Sequence, residues 1–261
     1  MQEREREREI SNAHTRNANS KTMAGCILTS KDLLYNQLRC DNNCYCSESH
    51  TYADWDVSLI DNFEGLFENL VIAALNTTGM ETWEVTQVTS MARMFQGTTF
   101  SDGIAPEFLN KWSMQINNAD HNNILTDTSR MFFGSNIRRV FENEQAPYRN
   151  VVDMSYMFAN TPIETIGSGI DTSSVKIFDY MFQNTSVFAG SMLAYGTPTF
   201  FTSAATSMAG MFEGASAYNA DISAWQTSQV TNMRAMFKNA TAFNQDLGNW
   251  NVQNVENFDE M

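Results

Sequence analysis

Trp225-Gln-Thr-Ser-Gln-Val230-Thr-Asn-Met233-Arg-Ala-Met236-Phe237 is the stretch whose pattern decides the fold. Its apolar residues stand at offsets 0, 5, 8, 11 and 12 from the tryptophan, and Trp83, Val88, Met91, Met94 and Phe95 repeat those offsets. From Val230 onward the apolar positions fall within an arc of about 120° on a helical wheel, whereas strand alternation would divide them between two faces. The segment is therefore expected to be a short amphipathic helix.

Outward from this stretch, the closing pair recurs as Leu66-Phe67, Met94-Phe95, Met131-Phe132, Met157-Phe158, Met181-Phe182, Met211-Phe212 and Met236-Phe237, with Met261 opening an eighth copy. The spacings are 28, 37, 26, 24, 30, 25 and 25 residues. Ser58, Thr86, Asn123, Ser173, Ser203 and Ser228 follow the tryptophan position by three residues, where a side-chain oxygen caps a helix; Arg149 and Gln253 depart from the rule. Asn69, Gly97, Gly134, Asn160, Asn184, Gly214 and Asn239 stand where the helix should end, and both residue types adopt the left-handed backbone readily. The pairs Trp83/Val85, Trp225/Thr227 and Trp250/Val252 have the i, i+2 spacing of one face of a strand. Each unit thus reads as strand, helix and return loop.

A unit of about 26 residues is too small to form its own core, so neighbouring copies must share one. The expected fold class is α/β: a leucine-rich-repeat-like solenoid with one short parallel strand and one short helix per coil. About eight coils are expected over 55–261, the last truncated one residue short of its phenylalanine, as in a fragment or a truncated gene product.

The string running from Trp225 to Phe243, continued by Phe243-Asn-Gln-Asp246-Leu247 to Trp250, resembles the BspA-like bacterial surface-protein repeat. The resemblance covers 55–261, strongest at 83–95 and 208–261. It is looser between, where Ile170 or Phe200 replaces the tryptophan and the Phe-Asn-Gln-Asp segment disappears. The resemblance implies a leucine-rich-repeat-type solenoid and a cell-surface or lipoprotein-linked role in adhesion. Thr29-Ser30-Lys31-Asp32-Leu33-Leu34, continuing to Leu38, is similar to the leader helix before such repeats, which would cover the first coil.

Sixteen Lys and Arg against thirty Asp and Glu leave a net charge of −14, which disfavours a nucleic-acid partner. No apolar run is long enough to span a bilayer, and the polar MQEREREREI start lacks the apolar core of a secretory signal. Residues 1–20 read as a disordered polar arm or a misassigned start. Residues 21–54 read as an N-terminal capping segment with a helix near 30–40.

Cys26, Cys40, Cys44 and Cys46 all precede the repeats, and their spacing fits no common zinc pattern. Disulfides within the cap, free thiols and a metal site stay open, in that order of preference. Met23-Ala24-Gly25-Cys26 resembles a lipoprotein cleavage site, but the preceding residues are polar where an apolar stretch is required. His14, His50 and His121 have no Ser, Cys or carboxylate at a recognisable catalytic spacing. Asp221 and Asp246 stack on adjacent coils as possible calcium ligands, with turn formation the stronger reading. The regular methionines fit core packing better than soft-metal binding, and the sequons at Asn76, Asn184 and Asn239 are as many as so Asn-rich a chain yields by accident.

Two long spacings mark insertions, one around Trp112 to Asn123 and one near Gly190 to Phe200. Solenoid insertions emerge as loops, often on the binding face. Trp112, Asn117, Asn118 and His121 in the first, and Tyr195 and Phe201 in the second, are the candidate contact residues for a protein or glycan. The expected function is a non-enzymatic binding or adhesion module without a cofactor, with self-association through the open last coil as a further expectation. The rivals are an intracellular interaction scaffold and a repeat carrier for an enzyme domain encoded elsewhere.

Overall fold

The computed structural model describes residues 26–28, 30–38, 52–72, 77–106, 108–109, 111–112, 124–140, 149–167, 170–189, 193–194, 197–198 and 200–261. Successive units lie side by side in parallel register. Backbone bridges run Asn62 to Ser90, Ser90 to Asp127, Asp127 to Asp153, Asp153 to Ile177, Ile177 to Ser207, Ser207 to Asn232 and Asn232 to Asn257. Each bridge residue from Asn62 to Asn232 stands immediately before the first core residue of the Met-Phe segment, which is apolar in every unit but the one where Thr128 follows Asp127.

The Met-Phe segments themselves are not helices, which corrects the expectation. In the first unit the amides of Phe63, Gly65, Phe67 and Asn69 donate to the carbonyls of Ser90, Ala92, Met94 and Gln96 in the next unit, at 2.8–2.9 Å. The alternate amides of Leu66, Glu68 and Leu70 donate three residues back, to Phe63, Gly65 and Phe67, at 3.1–3.2 Å. The Glu64 amide is held by Asn62 Oδ1 at 2.7 Å. Each unit is therefore a run of tight turns that hands every second amide to its neighbour, and no amide is left for the i to i−4 bonding of an α-helix.

Left-handed backbone makes this possible. Asn69, Gly97, Gly134, Asn160, Asn184, Gly214 and Asn239 have φ between 57° and 70°. They adopt the left-handed conformation read from their residue types, yet they end no helix. A second left-handed position lies four residues earlier in the same units, at Gly65, Arg93, Arg130, Tyr156, Tyr180, Gly210 and Ala235. A turn with positive φ at its third residue explains why Phe63 and Leu66 close around Gly65.

The strand expected at the tryptophan pairs is also displaced. The parallel two-residue strands are β1 (Cys26–Ile27) with β2 (Trp55–Asp56), and β3 (Arg139–Val140) with β4 (Thr165–Ile166). Near Trp83 and Trp225 the chain instead makes a tight turn, as where the Val88 amide donates to Val85 and that of Val230 to Thr227. Ser58 and Ser173, expected as caps, donate their own amides to Asp56 and Asp171 Oδ1 at 3.0 and 2.9 Å, as in Asx turns. The second insertion contributes the antiparallel pair β5 (Leu193–Ala194) and β6 (Thr197–Pro198). At the N-terminal side lies α1 (Lys31–Leu38), and Leu28, Leu34 and Leu38 are buried in the same core as Trp55 and Val57.

Aromatic columns form that core. Phe67, Phe95, Phe132, Phe158, Phe182, Phe212 and Phe237 stack in sequence with centroids 5.2–5.7 Å apart and planes within 13° of parallel. Trp55, Trp83 and Trp112 stack at one end of a second column, Phe200, Trp225 and Trp250 at the other. The columns meet where Phe212 lies 6.0 Å from Trp225. The repeated methionines from Met91 to Met236 that the structure describes are buried in the same core, consistent with packing rather than metal binding.

Buried threonines supply a second inter-unit link. Thr202 Oγ1 accepts the Gln226 amide at 2.8 Å and donates to the Gln226 carbonyl at 3.0 Å. Thr172 does the same with Phe201, at 2.6 and 2.8 Å. Thr227 Oγ1 donates to Asn251 at 3.0 Å. One hydroxyl can both accept and donate, so it satisfies two backbone groups of the next unit.

Candidate functional site

Among the left-handed residues that precede each Met-Phe pair, those of the middle units carry large, half-buried side chains. Arg130, Tyr156 and Tyr180 stand at φ 56°, 56° and 58°. L-residues adopt this conformation at a cost of about 1 kcal/mol or more each. The ladder places these three residues on consecutive units, so their side chains stack along one outer face.

The Arg130 guanidinium carbon lies 4.3 Å from the Tyr156 ring centroid and 5.4 Å from that of Phe133. Tyr156 and Tyr180 stack at 4.7 Å with planes 17° apart, and Phe133 meets Tyr156 edge-on at 6.2 Å. Tyr180 in turn covers Gly210, where a Cβ would stand 2.2 Å from its Cε1. Arg130, Phe133, Tyr156 and Tyr180 are all half-buried, so this strip keeps solvent access while each member is held by its neighbour.

Polar groups border the strip. Asp127 and Asp153 each hold the amide two residues on, at Ser129 and Ser155, through Oδ1 at 2.8 Å. Asp179 accepts from the Ser207 hydroxyl at 2.5 Å and the Ala209 amide at 2.9 Å. Burial is the main cause pushing the Asp179 carboxyl above its ordinary range, against those two hydrogen bonds. Burial also raises the Tyr156 phenol, with the Tyr180, Asp179 and Glu213 charges acting the same way and Arg130 opposing them.

The residues expected to make contacts are placed differently. Trp112 is 1 % exposed, stacks on Trp83 at 5.5 Å and donates its indole N–H to the Met80 carbonyl at 2.7 Å. It is a core residue, because the stacking column continues into the first insertion and takes the indole with it. Asn117, Asn118, His121 and Tyr195 lie outside the described residues, as do Cys40, Cys44, Cys46, His14, His50 and Asn76. Phe201 is 46 % exposed, its backbone held by Thr172, and stands apart from the Arg130 strip in the chain and in its contacts. Asp221 and Asp246 hold the Ser223 and Gly248 amides at 2.9 and 2.8 Å, as turn formers do. Among the described residues no cluster of three or more His, Cys, Asp or Glu is arranged to hold a metal ion, and no helix is long and apolar enough to cross a membrane.

Sequence reasoning missed Arg130, Tyr156 and Tyr180 because it treated the residue before each Met-Phe pair as the polar side of a helix. Reading that column from unit to unit, as Gly65, Arg93, Arg130, Tyr156, Tyr180 and Gly210, exposes the strip.

The in-register bridges, the unbroken phenylalanine column and the recurring left-handed positions define a protein built from repeated, stacked units. The family described as "Mycoplasma protein of unknown function, DUF285" matches residues 41–162, 104–200 and 152–261, and the chain belongs to that family. Three overlapping matches along one chain agree with the repetition seen in the backbone. Comparison with curated proteins and with solved structures gave no match.

Proposed function

We propose that the chain is a leucine-rich-repeat-like solenoid that works as a non-enzymatic recognition module, presenting its outer turn face to a protein or glycan at a cell surface or outside the cell. The observation that carries this reading is the Arg130–Tyr156–Tyr180 strip, in which three successive units carry large, half-exposed side chains on left-handed backbone. The ladder imposes left-handed backbone on every unit, and glycine would meet it without strain, so large half-exposed side chains kept there on three successive units favour partner contact. The BspA-like resemblance of 55–261 supports a surface location and an adhesive role. Stacked units suit this work because the contact area grows with each copy.

The test has two parts. Intact native cells are digested with an external protease and the released peptides identified together with the state of Cys40, Cys44 and Cys46. Release of repeat peptides with disulfide-bonded cysteines supports the surface module, whereas shielding with reduced thiols makes an intracellular scaffold the better reading. Immobilised protein and its Tyr156→Ser/Tyr180→Ser variant are then compared on panels of extracellular proteins and glycans. A variant that captures the same ligands as the parent removes the strip from the function.

A further inference from the structure

We infer that Arg130 is a receptor for a carboxylate carried by an acidic segment of a partner polypeptide; the inference rests on the reading of the turn face as a recognition surface. The first argument is a contrast among arginines. Arg93 pairs with Glu64, Arg138 and Arg139 with Glu164, Arg149 with Asp171 and Arg234 with Glu260. Arg130 makes no ion pair among the described residues, although the chain carries thirty Asp and Glu against sixteen Lys and Arg. Among the described residues, five other arginines have a carboxylate partner and Arg130 has none.

The second argument is orientation. The Arg130 guanidinium carbon lies over Tyr156 and Phe133, 4.3 and 5.4 Å from the two ring centroids. A guanidinium packed on aromatic rings and without a carboxylate partner among the described residues keeps its N–H groups for a ligand, and those are the donors that grip a carboxylate with two parallel bonds. Stacking also removes much of the rotamer freedom that a free arginine would lose on binding.

The third argument decides the ligand class. A sugar ring usually needs an open aromatic face, but here Arg130 covers one side of Tyr156 and Tyr180 the other, while Tyr180 itself lies on Gly210. What remains toward solvent, beside the bordering Asp127 and Asp153 whose Oδ1 atoms accept the Ser129 and Ser155 amides, are ring edges, which carry the positive end of the aromatic quadrupole, and the guanidinium. Half-exposed Phe133 beside Arg130 adds room for an apolar side chain. A cation, positive ring edges and an apolar shelf suit an acidic residue followed or preceded by a hydrophobic one.

The experiment is a display selection of short random peptides on the immobilised full chain and on Arg130→Gly, with a glycan array run in parallel. Glycine at this left-handed position relieves strain, so the variant is expected to fold at least as well as the parent. The expected result is enrichment of peptides bearing Asp or Glu beside an apolar residue. Their synthetic forms should bind at least about tenfold more weakly to Arg130→Gly and after replacement of the acid by its amide. Arg93→Gln, which alters an arginine already paired with Glu64, should leave binding unchanged. Peptides that need Tyr156 and Tyr180 but carry no acid, or ignore Arg130, overturn the inference and leave the recognition face standing. Capture of acidic glycans alone overturns the polypeptide assignment. Ligands bound equally by parent and Tyr156→Ser/Tyr180→Ser, or no ligand at all, overturn the inference and the face together.

Discussion

The Tyr180 ring rests on Gly210, so closely that a Cβ on the glycine would stand 2.2 Å from Cε1 and 2.3 Å from Cδ1. Gly210 is at φ 57°, so its glycine serves two purposes, left-handed backbone and room for the ring above it.

Gly210→Ala is expected to lower stability by about 1–3 kcal/mol, from left-handed strain and from displacement of Tyr180. Pairing it with Tyr180→Ala separates the two causes in a double-mutant cycle. Thermal unfolding should show the double variant less destabilised than the sum of the singles. Strict additivity would mean that the ring does not press on the glycine.

Two glycines with the same backbone but different surroundings provide a second check. Gly134 (φ 64°) has nothing within 4 Å of an added Cβ, whereas at Gly214 (φ 70°) that atom would stand 2.3 Å from Asn184 Oδ1. Gly134→Ala should cost about 1 kcal/mol of strain alone. Gly214→Ala should cost more, and Gly214→Val more again because a β-branched residue resists positive φ. Equal melting temperatures for the two alanine variants would contradict this close approach.

Thr202 holds both backbone groups of Gln226, so Thr202→Val keeps the shape and deletes two hydrogen bonds. A loss of about 1–3 kcal/mol is expected. Thr202→Ser keeps the hydroxyl and should lose only about 1 kcal/mol for the missing methyl group. Hydrogen exchange at the Gln226 amide is the local readout: it should quicken markedly in the valine variant and little in the serine one.

Asp179 supplies a pH dependence. Burial, its largest cause, raises the folded carboxyl above its unfolded value, so folding favours the protonated form. The stability this contributes is present below the unfolded carboxylate range and is lost as pH rises through the folded value. Asp179→Asn keeps an acceptor for the Ala209 amide and removes the charge. It should therefore melt higher than the parent at neutral pH, with the gap narrowing near about pH 4. A constant gap across that range would show that charge burial is not its cause.

The phenylalanine column could be foreseen from Met94-Phe95 and its copies because identical residues at a fixed place in stacked units must meet. The choice between helix and turns could not. Val230, Met233 and Met236 are buried and Phe237 partly buried by either one, since both return an apolar side chain to the core at every third or fourth residue. Ala235 illustrates the ambiguity: a strong helix former stands at φ 54° because its amide bonds to Asp259 in the next unit.

The sequence alone determined that the chain is repetitive, where each copy closes, and that Asn69, Gly97, Gly134, Asn160, Asn184, Gly214 and Asn239 turn left-handed, because each is a local property of residue type and spacing. Only the tertiary structure decided that Arg130, Tyr156 and Tyr180 touch, and that Trp112 is core. Residues 26 and 24 positions apart in the chain become neighbours once each unit passes its alternate amides to the next. That exchange of hydrogen bonds is a property of the stack, and no single copy contains it.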